Sequence, residues 1–216
     1  MTSVATTMHR DERSRSPLRG GTDGNELLTV GTGALLFVLL GALGITILLI
    51  GTLIEEHLII GLVLVPPVLL KLTSTGWRFA RYYTGDPLYV EKGPPALGLR
   101  LLGPLVILTT VIVFGSGIVL LFETPHPDNK VLLVHKASFI LWLGLTAIHV
   151  LGHAAEMVRG LGEDWGPRYL RADVPGRSGR GMALASALVL GVVLAVVLSS
   201  HFAVWHQFMT IGGGGH

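Results

Sequence analysis

The sequence contains no cysteine, and this absence excludes several classes of function. Without thiols there is no disulfide framework, no iron–sulfur or thiolate zinc site and no thiol nucleophile. Any metal site must therefore use histidine, carboxylate or methionine side chains. Nine histidines are present among the 216 residues.

Charged residues are also scarce, at 14% of the chain, whereas soluble domains contain about 25%. Uncharged runs recur along the sequence, and several reach the roughly 20 residues that a helix needs to cross a bilayer. The chain is therefore predicted to be an integral membrane protein. Motifs for nucleotide binding, nucleophilic catalysis and zinc hydrolysis do not occur in the sequence, so no catalytic residue is predicted.

Five membrane-spanning helices are predicted from the hydropathy of the sequence, which makes the fold class an all-α integral membrane bundle. The predicted spans cover residues 27–54, 57–75, 101–122, 131–157 and 182–205. The second span is the shortest, and it is expected to break at Pro66 and Pro67.

The positive charges lie on one side of these spans. All but two of the 16 lysines and arginines fall in the N-terminal tail or near the ends of the second and fourth spans. This pattern predicts a cytoplasmic N-terminus and an external C-terminus in a bacterial plasma membrane. Residues 1–26 are then a disordered cytoplasmic tail, residues 27–206 the bundle and residues 207–216 an external tail. The basic residues meet the lipid bilayer in this interpretation, and no nucleic-acid partner is predicted.

Histidines at membrane depth are the most informative residues, because ionisable side chains there usually face a bundle interior, a cavity or a cofactor. In the fourth span His135 and His149 are 14 residues apart, which places them on one helix face about 21 Å apart along the axis. His153 falls on the same stripe.

The second and fourth spans cross the membrane in the same direction, so their residues can be matched by depth. His57 is then level with His135, and Lys71 is level with His149. Haem iron in a bundle needs axial ligands from facing helices at equal depth, and His57 and His135 meet that requirement. Small residues that would let a flat ring approach are Gly61, Gly115 and Gly117.

The segments 57–71 and 135–153 resemble the haem-bearing helices of bacterial membrane b-type cytochromes, a superfamily that includes the membrane subunits of formate dehydrogenase and hydrogenase. The resemblance implies haem b in a four-helix core and electron transfer across the membrane. It also implies a second histidine where this chain has Lys71. One haem held by His57 and His135 is therefore expected. The alternative is an inner haem held by His149 or His153, with Lys71, a neutral residue or nothing opposite, although Lys71 is expected to snorkel to the interface.

Each candidate also has a plainer interpretation. His57 and His135 are compatible with interfacial positions, and His149 and His153 with a polar helix end. His201 is a further candidate cofactor ligand that could replace His57, line a quinone pocket or face the interface.

The function expected from these residues is electron transport between a redox partner and a quinone, within or beside an oxidoreductase complex. Two other interpretations remain open. One is an ion or proton transporter that uses intramembrane histidine and lysine, with the Pro66-Pro67 break in a discontinuous helix. The other is a non-redox structural subunit whose polar residues join helices. Arg78 and Arg81 either meet lipid headgroups or bind a carboxylate of a haem or a partner.

Overall fold

The computed structural model describes residues 18, 21–91, 97–126, 128–166 and 174–211. Helices dominate this part of the chain, and it contains no strand. The helices are α1 (Gly21–Leu48), α2 (Ile54–Tyr83), α3 (Pro87–Glu91), α4 (Leu97–Phe122), α5 (Lys130–Trp165), α6 (Arg177–Leu198) and α7 (Phe202–Thr210). A 3-10 turn, Ser199–His201, joins α6 to α7.

Five helical stretches of the described residues are long and apolar enough to cross a membrane. They are α1, α2, most of α4, the segment Lys130–Gly152 of α5, and the stretch Arg177–Thr210. Large aliphatic side chains are exposed on them, including Leu48 at 84% and Leu151 at 76%. Such apolar outer surfaces suit contact with lipid. The predicted all-α membrane fold with five spanning helices is confirmed.

The second span differs most from its prediction. The predicted break at Pro66 and Pro67 is wrong, because α2 continues through both prolines and is 30 residues long. Proline removes backbone N–H donors, but a membrane helix tolerates this where neighbouring groups contact the freed carbonyls. The end of α2 was underestimated because the charged and aromatic residues after position 75 lower the hydropathy without ending the helix.

The predicted ends of the other spans also shift. Helix α1 begins at Gly21, inside the predicted N-terminal tail, and ends at Leu48 before a turn. Helix α5 extends to Trp165, and α7 ends at Thr210, inside the predicted C-terminal tail. A hydropathy window misses polar helix ends, which explains the extensions at Gly21, Trp165 and Thr210. The turn after Leu48 is mostly apolar, so hydropathy included it in the predicted first span. Residues 1–17, 19–20 and 212–216 of the predicted tails lie outside the described residues.

Contacts within the chain divide it into two compact units, each assembled from pieces of several helices. The Lys71 unit comprises residues 1–35, 67–94 and 153–187. The His57 unit comprises residues 36–66, 95–152 and 188–216. The two units are described separately below.

The core of the His57 unit is apolar and is fixed at one end by a tryptophan. Trp205 of α7 is 4% exposed, and its indole N–H donates to the carbonyl oxygen of Leu120 at 3.1 Å. Leu120 lies in the last turn of α4, where carbonyls lose their regular helical partners. The indole therefore ties α7 to the end of α4. The buried cluster beside it consists of Leu62, Leu121, Ala195 and Phe202.

Helix α6 approaches α2 closely at Gly191. A Cβ atom at Gly191 would lie 2.4 Å from the carbonyl oxygen of Val63, so only glycine fits there. Val63 is four residues before Pro67, which has no N–H to donate to that carbonyl. The prolines thus leave a carbonyl exposed at the point where α6 packs, and small residues permit such close helix contacts in membranes.

Polar side chains join α1 to α2 in the Lys71 unit. The amide Nδ2 of Asn25 donates to the carbonyl oxygen of Ser74 at 3.2 Å, and the hydroxyls of Thr29 and Ser74 are 3.1 Å apart. Arg180 of α6 is 1% exposed and donates to the carbonyl oxygen of Pro175 at 2.8 Å. Inside a bilayer the hydrogen bonds between α1 and α2 favour helix association, because apolar side chains alone gain little from leaving lipid. The bond of Arg180 is local and fixes the start of α6.

Candidate functional site

The rings of His57 and His135 lie against each other in the His57 unit. Their centroids are 6.5 Å apart, and the ring planes stand at 87°. His57 is in the first turn of α2 and His135 in the second turn of α5, and both side chains are half-buried. The predicted pairing of these two side chains is confirmed, whereas their role as metal ligands stays a prediction.

The separation of the rings matches that of two ligands on opposite sides of one metal ion. A ligating nitrogen lies about 2 Å from the metal and the ring centre about 1.1 Å behind it, so two such imidazoles have centres about 6.2 Å apart. The observed 6.5 Å is close to this value. Direct edge-to-face contacts between aromatic rings also cover this range, and an angle of 87° between the ring planes is typical of them, so the separation is compatible with both arrangements.

The hydrogen bond of His57 identifies its tautomer. Thr46 Oγ1 lies 3.1 Å from Nδ1 of His57 and 2.6 Å from the carbonyl oxygen of Leu43. The hydroxyl has one proton and the carbonyl can only accept, so that proton goes to Leu43. Thr46 Oγ1 must then accept a hydrogen bond from Nδ1–H of His57. The lone pair of this imidazole is therefore on Nε2.

The same reasoning applies to His135. Its Nδ1 lies 3.0 Å from the carbonyl oxygen of Val113 and 3.1 Å from Ser116 Oγ. Because the carbonyl only accepts, Nδ1 carries the proton. The hydroxyl of Ser116 in turn donates to the carbonyl oxygen of Ile112 at 2.7 Å. His135 therefore also presents Nε2 as its unprotonated nitrogen.

Both histidines thus have the arrangement of metal-ligating imidazoles, which commonly donate their second N–H to a carbonyl or a similar acceptor. Neither Nε2 has a hydrogen-bond partner among the described residues. Gly61, one turn after His57, has open space where a Cβ would stand. Two imidazoles suit iron, copper or zinc. Among the described side chains no group of three or more His, Asp or Glu converges on one metal position.

Gly117 of α4 makes room for the ring of His135. A Cβ on Gly117 would lie 3.1 Å from Cε1 and 3.5 Å from Nδ1 of that ring. Gly117 was predicted to let a flat ring approach, and the ring it accommodates here is the imidazole itself. Gly115, in the same predicted role, has open space at its Cβ position.

The other predicted ligands are placed differently. His149 is half-buried in the His57 unit, and the side chain of His153 lies outside the described residues. His201 packs its ring on Phe122, with centroids 5.0 Å apart, and makes no ring contact with the histidine pair. The structure therefore does not bring His201 to the site. An inner ligand set with His149 or His153 stays a prediction.

Lys71 is held against the backbone of α1. Its Nζ donates to the carbonyl oxygen of Thr29 at 2.7 Å, and a Cβ on Gly33 would lie 3.2 Å from Nζ. No carboxylate among the described residues pairs with it. The side chain turns toward the N-terminal part of α1, and its snorkelling to the interface stays a prediction. Within a membrane an ammonium group without hydrogen bonds is unfavourable, so donation to a backbone carbonyl oxygen stabilises it.

Replacing Gly33 with valine is expected to displace this ammonium and to destabilise the protein by about 1–3 kcal/mol, because the added side chain overlaps Nζ. In a Lys71→Ala background the same change should cost less than half as much. Thermal unfolding in detergent measures both values. Gly41→Val is the matched control on α1, since the space at its Cβ is open. Equal costs in the two backgrounds would contradict the contact.

Arg81 has partners within its own segment. Its Nε lies 3.5 Å from Oδ2 of Asp86, and its guanidinium lies 5.0 Å from the ring centre of Trp77. This arrangement fits an aromatic and basic helix end at a membrane interface. The alternative role of Arg78 and Arg81, binding a carboxylate of a haem or a partner, stays a prediction.

Sequence reasoning identified the two histidines and missed the groups that orient them, namely Thr46, Ser116 and the carbonyl of Val113. Thr46 and Ser116 are buried at 4% and 9% exposure, each within an apolar run. A hydroxyl inside such a run was the available signal, although most such hydroxyls bond only their own helix. Comparison with protein families, with curated proteins and with solved structures finds no match to this chain.

Proposed function

We propose that this protein is a membrane b-type cytochrome in which His57 and His135 are the axial ligands of one haem. The observation that carries the proposal is the imidazole pair, 6.5 Å apart, with each Nδ1 hydrogen-bonded and each Nε2 available. When bound, haem b supplies an iron that takes up and releases one electron.

The chain itself contributes ligand orientation and a surrounding of low polarity. Thr46 and Val113 hold the two rings from different helices, α1 and α4. Helices α2 and α5 carry the ligands on rigid backbone, which limits movement when the charge of the site changes. Ligand identity, hydrogen bonds to the ligands and burial are the features through which a protein sets a haem potential.

An electron carrier needs a donor and an acceptor. We propose a quinone for one of them, because the site lies on apolar helices that a lipid-soluble molecule can reach from the bilayer. A redox protein at the membrane surface is the proposed second partner. The distribution of lysine and arginine supports a cytoplasmic N-terminus and an external C-terminus in a bacterial plasma membrane.

Visible spectroscopy of the protein purified from haem-replete cells tests the proposal. We expect a Soret band, and a sharp α band after reduction with dithionite, at one haem per chain. His57→Ala and His135→Ala should each abolish the α band, whereas His201→Ala, the control, should keep it. A colourless wild-type protein that takes up no added haem would overturn the proposal.

The oxidised protein offers a second readout that depends on the ring planes. Because the planes stand at 87°, its EPR spectrum should show the highly anisotropic low-spin signal of perpendicular imidazole ligands. A rhombic signal typical of parallel planes would count against this ligand pair. Two haems per chain would instead favour the additional site at His149 or His153.

A further inference from the structure

Among the described residues, Thr46 is the side chain that hydrogen-bonds the ring of His57. Its hydroxyl is the hydrogen-bond acceptor of Nδ1–H of His57 and is buried, at 4% exposure of the residue. The hydroxyl proton is already donated to Leu43 at 2.6 Å. Thr46 can therefore act toward His57 only as an acceptor, which fixes both the tautomer and the position of the ring nitrogen.

The two histidines differ in this respect. Nδ1–H of His135 is shared between the carbonyl oxygen of Val113 and the hydroxyl of Ser116, so it keeps a backbone acceptor whichever side chain is replaced. His57 has no backbone acceptor for its ring among the described residues. One substitution at Thr46 therefore removes the hydrogen bond of one ring and leaves the hydrogen bonds of the other ring in place.

We infer that Thr46 is a positioning residue that holds His57 with Nε2 unprotonated and thereby lowers the midpoint potential of the haem. The effect on potential rests on the proposed function, whereas the tautomer does not. An N–H that donates a hydrogen bond makes the opposite imidazole nitrogen a stronger electron donor, and a stronger donor favours the oxidised metal. Without the acceptor, the oxidised state is less stabilised.

Thr46→Val keeps the shape of the side chain and removes the hydroxyl, so it isolates this hydrogen bond. We expect it to retain haem and to favour the reduced state about tenfold, which is a rise of about 59 mV for a one-electron couple. Thr46→Ser, which keeps the hydroxyl, should titrate like the wild type. Redox titration followed at the α band measures all three proteins.

The matched control is Thr32→Val. Thr32 lies on the same helix, is fully buried and donates its hydroxyl to the carbonyl four residues earlier, but it contacts no histidine. It should leave the potential unchanged. An unchanged potential in haem-loaded Thr46→Val, or an equal shift in Thr32→Val or Thr46→Ser, would overturn the inference. If Thr46→Val loses haem while Thr32→Val and Thr46→Ser keep it, the role of Thr46 in positioning His57 is supported. Loss of haem in Thr46→Ser would contradict that role.

A measurement without haem separates this inference from the proposed function. In ¹⁵N-histidine-labelled apoprotein, the ring nitrogen shifts of His57, assigned by comparison with His57→Ala, should report protonated Nδ1. In Thr46→Val they should move toward the Nε2–H tautomer that free imidazole side chains prefer. If the wild type binds no haem but shows this change, the cytochrome proposal fails and the role of Thr46 stands. If His57 carries its proton on Nε2 in the wild type, the role of Thr46 is refuted.

Discussion

Replacing Gly191 with leucine is expected to destabilise the protein by about 3 kcal/mol or more, enough to deplete the folded form. Any Cβ at this position would lie 2.4 Å from the carbonyl oxygen of Val63. That oxygen belongs to the backbone of α2 and cannot rotate away as a flexible side chain would. Relief requires α6 to move away from α2, which opens the adjoining core around Leu62 and Ala195. The yield of monodisperse protein and its thermal unfolding in detergent measure the loss.

Gly144→Leu is the matched control for this change. Gly144 is also a helical glycine in the His57 unit, but a Cβ there meets nothing within 4 Å. The same residue is introduced, so effects of leucine on insertion and helix propensity are common to both variants. We expect the control to keep wild-type stability within about 1 kcal/mol. If the two variants unfolded at the same temperature, the close approach of α6 to α2 would be disproved.

The number of spans and the pairing of His57 with His135 were predictable because both follow from simple geometry. Long uncharged runs have few alternatives to crossing a membrane as helices. Two helices that cross in the same direction bring residues at equal distance from their ends to one level. Their rings lie 6.5 Å apart in the structure, which agrees with that matching.

The partners of the two rings were not predictable, because they depend on how each helix is rotated about its own axis. Helix α1 is apolar over most of its surface, so its sequence does not indicate which side faces its neighbours. Thr32 and Thr46 look alike in the sequence, and both bond their own helix. Only the fold shows that Thr46 also contacts a histidine.

The continuation of α2 through its two prolines was not predictable for a similar reason, because it depends on a neighbouring helix. Proline lacks an N–H, and read alone it predicts a break. Whether the helix continues depends on what packs near the freed carbonyl, and here α6 passes close to it at Gly191. Lys71 is comparable, since its place against α1 requires an accessible carbonyl at Thr29 and the absence of a side chain at Gly33. Both features depend on the contact between two helices, and the residue pattern of one helix alone does not reveal that contact.

On the proposed function, replacing Gly117 with valine is expected to abolish haem binding while the protein still folds. A Cβ at Gly117 would lie 3.1 Å from Cε1 and 3.5 Å from Nδ1 of His135, and the methyl groups of valine extend further into that space. The ring must then leave its hydrogen bond to Val113, which fixes the tautomer that presents Nε2. The α band of the reduced protein should be lost as completely as in His135→Ala.

Gly115→Val separates displacement of the ring from a general effect of valine on α4. Gly115 lies two residues away on the same helix, and the space at its Cβ is open, so this variant should keep the wild-type spectrum. Size-exclusion profiles of both variants report whether each is folded. A wild-type α band in Gly117→Val would mean that His135 does not need its present position to bind haem. Equal loss of colour in both variants would assign the effect to α4 rather than to the imidazole. His135 has two acceptors for its ring N–H, so replacing one side chain leaves an acceptor in place. A steric change at Gly117, which contacts the ring, displaces the ring from both acceptors at once.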